Sequence, residues 1–206
     1  MQKKKNKKIT YESVGDNYET KDPVKKLFQD GARATAVNLK NAGFPEISDT
    51  RGESAFVWRQ GNHYMASVVE GLGTKNLIAD DMRKVTKKTY YDVIAHDTVA
   101  TAINDLITVG AKPLVVHAYW AIEDNSWLAD FPKMKDLING WKKACDLSGA
   151  TWGGGETATM KQIVVKGVAE FAASAIGFIK NKKRLVTDKK LKIGDRILMI
   201  KSSGVN

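Results

Sequence analysis

Residues 96–114 read His-Asp-Thr-Val-Ala-Thr-Ala-Ile-Asn-Asp-Leu-Ile-Thr-Val-Gly-Ala-Lys-Pro-Leu, and this stretch decides the fold. The helical apolar period from Tyr91 to Val109 stops at Gly110, and Pro113–Trp120 then reads as a buried strand. A helix running through one glycine turn into a buried strand is a unit of mixed α and β structure.

The same pattern extends in both directions. Downstream, Phe131–Ser148 reads as a second helix closed by Gly149. Upstream, Glu53–Trp58 and Tyr64–Val69 read as a β-hairpin turning at Gly61 and Asn62. Phe171–Ile179 and Arg196–Lys201 read as two further strands, separated by a basic, turn-forming stretch over 180–195. Near the start, Asp22 offers a helix cap and Pro23 a first-turn residue. Val24, Leu27, Phe28, Val37 and Leu39 then give a partly amphipathic helix that stops near Gly43. The predicted class is α/β (α+β), a mixed sheet flanked by helices.

A chain of 206 residues can bury one sizeable core. Its formal charge of +10 attracts anions, whether nucleotide phosphates, nucleic acid or a membrane surface, without choosing among them. Much of the excess lies in Lys3, Lys4, Lys5, Lys7 and Lys8, a run too self-repelling to pack, so residues 1–9 read as a solvated tail. Residues 10–201 read as one domain. No apolar stretch has the length of a secretory core or a membrane span, and the expected setting is soluble and cytoplasmic. Cys145 is the lone cysteine, which excludes an internal disulfide and a cysteine metal cluster, and it reads as a small buried residue. Trp58, Trp120, Trp127, Trp141 and Trp152 are dispersed beside apolar residues, as packing rather than base stacking requires.

Three clusters combine carboxylates with glycine or amide groups. Glu70-Gly71-Leu72-Gly73-Thr74-Lys75 offers close backbone approach to an anion, a carboxylate for a divalent cation and a lysine for a phosphate, though without the spacing of a P-loop. On the helix, about 100° per residue aligns Asp97 with Asn104, with Thr101 and Thr108 on the same stripe and Asp105 turned about 80° away. That stripe reads either as a lined site or as a solvated helix face. Gly153-Gly154-Gly155 followed by Glu156 and Thr157 reads as a loop, either flexible or approached by a ligand. Glu70, Asp97, Asn104, Asp105 and Glu156 together would satisfy magnesium and its nucleotide phosphates.

In order and content these clusters resemble the aminoimidazole ribonucleotide synthetase family, within a superfamily that includes thiamine monophosphate kinase and a hydrogenase maturation factor. EGLGTK at 70–75 is similar to the family's acidic glycine loop, and residues 96–114 to its helix with the Asn-Asp pair. GGGETATM at 153–160 points to the synthetase branch. The resemblance implies an ATP- and Mg²⁺-dependent cyclo-ligase of purine biosynthesis, converting formylglycinamidine ribonucleotide to aminoimidazole ribonucleotide with release of ADP and phosphate. It further implies a sheet that pairs across a homodimer. It assigns Asp105 and Asp97 to catalysis and Glu70, Asp97, Asp105 and Glu156 to the metal. Gly71, Gly73, Thr74, Lys75, Asn104, Gly153, Gly154, Gly155 and Thr157 would bind the nucleotide.

SSGVN at 202–206 resembles the start of the family's connection to a second domain, expected from a C-terminal domain or companion chain. The sequence also departs from the family pattern. Glu70 stands where the loop usually has Asp, Ala118 where Asp follows the strand, and Asn206 where His is common. Arg51 lies in a turn that is glycine-rich in the family, either to hold a phosphate or to pair with Glu53. His96 and His63 are not expected as catalytic bases, whereas His117 lies in a predicted buried strand. Two rival readings remain: a small-molecule kinase of the same superfamily, and a non-enzymatic protein that binds anions or nucleic acid.

Overall fold

The computed structural model describes residues 10–201, so the lysine tail, the 202–206 connection and the departure at Asn206 lie outside the described residues. Two units are distinguished, Met1–Glu46 and Ile47–Asn206.

In the first unit, α1 (Tyr18–Ala34) begins earlier than Asp22 and Pro23 suggest. Asn17 is the cap, its side-chain oxygen accepting from the Thr20 amide at 3.1 Å. Pro23 lies inside the helix, where its missing N–H forfeits one bond to the preceding turn. Thr35 separates α1 from α2 (Ala36–Asn41), and Gly43 follows with φ of 84°.

The second unit holds a five-stranded sheet built from β1 (Phe56–Gln60), β2 (His63–Gly71), β3 (Lys112–Ile122), β4 (Thr151–Thr159) and β5 (Ala169–Ile179). Their spatial order is β1-β2-β5-β3-β4. Only β3 and β4 run parallel, joined by α5 (Phe131–Ser148); the other neighbours are antiparallel. Between β2 and β3 come α3 (Lys75–Thr86) and α4 (Tyr91–Thr108).

Strand alternation sorts the side chains into two faces. Ala66 and Val68 of β2, Ala173 and Ala175 of β5, and Val116 and Trp120 of β3 are buried with Val99, Ala102 and Leu106 of α4 and Leu137 and Trp141 of α5. Small residues permit that closeness. A Cβ at Gly177 would lie 2.8 Å from the Leu106 side chain, and one at Gly140 would lie 2.3 Å from the Asp92 carbonyl oxygen. The opposite face, with Ser67, Ser174, Ile176, Phe178, Val115 and His117, is half-exposed.

Expected and observed elements agree for the hairpin, α4, β3, α5 and β5. Three differ. Helix α3 has no counterpart in the sequence reading. Gly153–Gly155 form part of strand β4, not a loop, with Ala118 paired to Gly155 across an irregularity in register. Arg196–Lys201 forms no strand, and Ile197, Leu198, Met199 and Ile200 are 90%, 89%, 92% and 97% exposed. The apolar run has strand composition, but none of the other strands pairs with it, and pairing is what makes a strand.

Candidate functional site

The turn from β2 into α3 is fixed at its base. Leu72 is buried and its amide donates to the Phe171 carbonyl at 2.8 Å, which ties the turn to β5. Gly73 takes φ of 75°, a conformation costly for side chains larger than hydrogen, and Thr74 caps α3 from there. Lys75 is therefore the first residue of α3, where backbone amides lack helical partners and favour an anion. The buried Asn76 anchors this end by donating from its side chain to the Ala169 carbonyl at 2.6 Å.

Glu70 and Asp105 converge here. Glu70 belongs to the helix-facing side of β2, paired with Ala173, and its carboxyl lies within hydrogen-bonding reach of that of Asp105 on α4. Partial burial first, and then the Asp105 charge, hold the Glu70 carboxyl above its ordinary range. A neighbouring pair neutralises itself: Lys75 Nζ lies 3.2 Å from Asp97 Oδ2, both side chains 32% exposed. His96 is exposed, its Nδ1 4.0 Å from Asp97.

The remaining predicted residues are dispersed. Asn104 is exposed, and the Thr101 and Thr108 hydroxyls donate to the Asp97 and Asp105 carbonyls of their own helix. Glu156 and Thr157 are exposed on β4, opposite Tyr119 and Trp120. Among the described residues no three of His, Cys, Asp or Glu gather into a metal cluster, so Glu70, Asp97, Asp105 and Glu156 do not form the expected set.

Packing explains two glycines of β4, and the third, Gly154, has nothing within 4 Å of an added Cβ but takes φ of 101°, which side chains rarely adopt. A Cβ at Gly153 would lie 2.7 Å from His117 Nε2, and one at Gly155 would lie 2.1 Å from the Ala118 carbonyl oxygen. The methyl group of Ala118 itself is buried. The Arg51 guanidinium lies over the Phe56 ring, 4.9 Å from its centre.

Sequence reading overlooked Glu170. Its Oε1 would lie 3.6 Å from a Cβ at Gly71, beside the glycine turn, and burial raises its carboxyl above the usual value. A single glutamate in an alternating strand looks like any solvated position, so only the β2–β5 pairing reveals it.

Residues 52–178 match the family model described as AIR synthase related protein, N-terminal domain. Among curated relatives, the phosphoribosylformylglycinamidine cyclo-ligase of Pyrococcus furiosus is 32% identical over 96% of this chain and 55% of its own length. That of Methanococcoides burtonii is 28% identical over 97% and 55%. The chain spans about half the length of these relatives. Of solved structures, thiamine monophosphate kinase from Aquifex aeolicus matches with a TM-score of 0.40 at 13% identity, over 58% of this chain and 34% of its own. Phosphoribosylformylglycinamidine synthase II from Thermotoga maritima matches with a TM-score of 0.41 at 16% identity, over 61% and 20%. No helix among the described residues is long and apolar enough to cross a membrane. With well over half of its length inside the family model, the chain belongs to the AIR synthase related family, as its N-terminal domain.

Proposed function

We propose that this chain is the nucleotide-binding half of a cytoplasmic phosphoribosylformylglycinamidine cyclo-ligase that works with Mg²⁺ and ATP. The observation that carries the reading is the approach of the Glu70 and Asp105 carboxyls beside the glycine turn that opens α3. Two carboxylates this close repel unless a proton or a cation lies between them. Magnesium commonly takes one or two protein carboxylates and completes its shell with water and phosphate oxygens, so the pair fits the ion without a larger cluster.

The phosphates would meet the free amides at the start of α3 and Lys75, which Asp97 holds in place. The ion would neutralise charge on the transferred phosphoryl group, the main demand of such chemistry. In the proposed reaction ATP phosphorylates the formyl amide oxygen of formylglycinamidine ribonucleotide. A nitrogen of the substrate then attacks that carbon, the imidazole ring closes, and phosphate leaves. ADP and aminoimidazole ribonucleotide are the other products. The half-exposed sheet face supports a homodimer in which two sheets close on each other, and a C-terminal domain or companion chain would complete the substrate site.

Calorimetric titration of Mg²⁺-ATP tests this. Asp105→Ala and Glu70→Ala should each weaken binding at least about tenfold, while Glu156→Ala on the exposed edge strand should bind as the parent does. A parent that binds no Mg²⁺-ATP, or a loss confined to Glu156→Ala, overturns it.

A further inference from the structure

Helices α3 and α4 run antiparallel, because residues 87–90 link the end of one to the start of the other while Lys75, at the far end of α3, meets Asp97 within α4. Between them lies a groove of about 230 Å³, walled on α3 by Lys75, Ile78 and Met82 and on α4 by Val93 and Asp97, with Tyr90 where α4 begins. On each helix these residues recur at steps of three and four, so the groove follows the helix axes. Ile78, Met82 and Val93 are 54%, 44% and 51% exposed, and apolar side chains grouped at a concave surface commonly mark a ligand site.

One end of the groove is the anion-favouring start of α3, since Lys75 is at once the first residue of that helix and part of the groove wall. The Glu70 and Asp105 carboxyls lie beyond the same end. Glu70 precedes the turn that leads into Lys75, and Asp105 follows Asp97 on α4 by eight residues, about 12 Å of helix axis and about 80° of turn. From either helix the order is the same: the carboxyl pair, then Lys75 with Asp97, then the apolar groove. Asp97 Oδ2 is taken by Lys75 at 3.2 Å, whereas Oδ1 lies 4.0 Å from His96 Nδ1, beyond hydrogen-bonding distance. A ligand that fits this order is anionic at one end, carries a hydroxyl donor in the middle and presents flat apolar faces at the other.

We infer that the groove seats the nucleoside of the nucleotide, its base against Ile78, Met82 and Val93 and a ribose hydroxyl donating to Asp97 Oδ1. The inference rests on the nucleotide reading above and adds to it where base and sugar lie. Affinity comes from burying the ring faces on the apolar wall. The sugar is read by Asp97, because a ribose without its hydroxyls leaves that carboxylate oxygen unpaired beneath the ligand.

Calorimetric titration of ATP, 2′,3′-dideoxy-ATP and inorganic tripolyphosphate, each with Mg²⁺, tests it on the 206-residue chain and two variants. The double variant Ile78→Gln/Met82→Gln should weaken ATP about tenfold while leaving tripolyphosphate within about twofold. Both positions are exposed and glutamine is a good helix former, so the unfolding midpoint should stay where it is. The parent should prefer ATP to its dideoxy form by about tenfold, and Asp97→Ala should bring that ratio close to one, a change that loosening Lys75 alone would not produce. A double variant that binds ATP as the parent does or weakens tripolyphosphate equally, a parent indifferent to the ribose hydroxyls, or a preference that survives Asp97→Ala overturns the nucleoside seat and leaves nucleotide binding standing. A parent that binds neither ATP nor tripolyphosphate overturns both.

Discussion

The carboxyl of Glu70 on β2 and that of Asp105 on α4 meet within hydrogen-bonding reach, and the aspartate's charge adds to burial in holding the glutamate above its ordinary range. An acid whose folded value is raised binds its proton more tightly in the folded chain. Its contribution to stability is therefore full below the ordinary glutamate range and is lost as pH rises through the raised value. Without divalent cations the unfolding midpoint should fall across that window, and Mg²⁺ should restore it at neutral pH. Asp105→Asn removes the repulsion, so it should raise the cation-free midpoint at neutral pH by about 2–4 °C and abolish the response to Mg²⁺. Thermal unfolding over pH and Mg²⁺ decides, and a variant with a lower midpoint and an intact Mg²⁺ response refutes the arrangement.

Arg83 and Asp130 make the opposite case. Two guanidinium nitrogens donate to the carboxylate, one at 3.1 Å, and hold it below its usual range. Its stabilising share is present above the ordinary aspartate range and is lost as pH falls through the lowered value. Asp130 also caps α5 by accepting from the Lys133 amide at 3.3 Å. Asp130→Ala should cost about 1–2 kcal/mol in urea unfolding, chiefly through the cap. Arg83→Ala should cost less and flatten the loss of stability in acid; an unchanged acid limb would exclude the pair as its source.

Two glycines in helices predict opposite signs. Gly140 lies where α5 meets the α4 backbone, so Gly140→Ala forces that contact apart and should cost about 1–3 kcal/mol. Gly31 in α1 has nothing within 4 Å of the position an added methyl group would take, so Gly31→Ala should raise helix content and stabilise by up to about 1 kcal/mol. Circular dichroism during denaturant unfolding measures both, and a destabilised Gly31→Ala contradicts the open surface described for α1.

Cys145 is buried, and burial pushes its thiol up to about 11. A disulfide reagent near pH 8 should modify the folded chain at least about a hundredfold more slowly than the urea-unfolded chain, because thiolate supply and access both fall. Equal rates in the two states would place the thiol at the surface.

Where the sequence was legible, local and tertiary demands agreed. Helix α4 and helix α5 carry an apolar period and a glycine stop, and both ended where those signals said. Strand β4 was illegible because Gly153–Gly155 lack side chains to show alternation; the packing of His117 and the Ala118 carbonyl explains Gly153 and Gly155, and a φ of 101° explains Gly154. Pro23 misled because a capping signal at Asp22 competes with a sound one at Asn17. Of the site, Glu70, Lys75, Asp97 and Asp105 were legible as chemistry, but helical spacing alone could not tell which of them would meet. It set Asp105 apart from the stripe, yet Asp105 is the residue that reaches across to β2.

Trp120, Trp141 and Trp152 bring β3, α5 and β4 together, with ring centres 5.6, 5.8 and 6.0 Å apart. Indoles at that spacing couple their electronic transitions, so the fold carries a built-in optical gauge. Fraying of the glycine-bearing edge strand would separate Trp152 from the other two and register in the near-ultraviolet dichroism before the remaining sheet gave way.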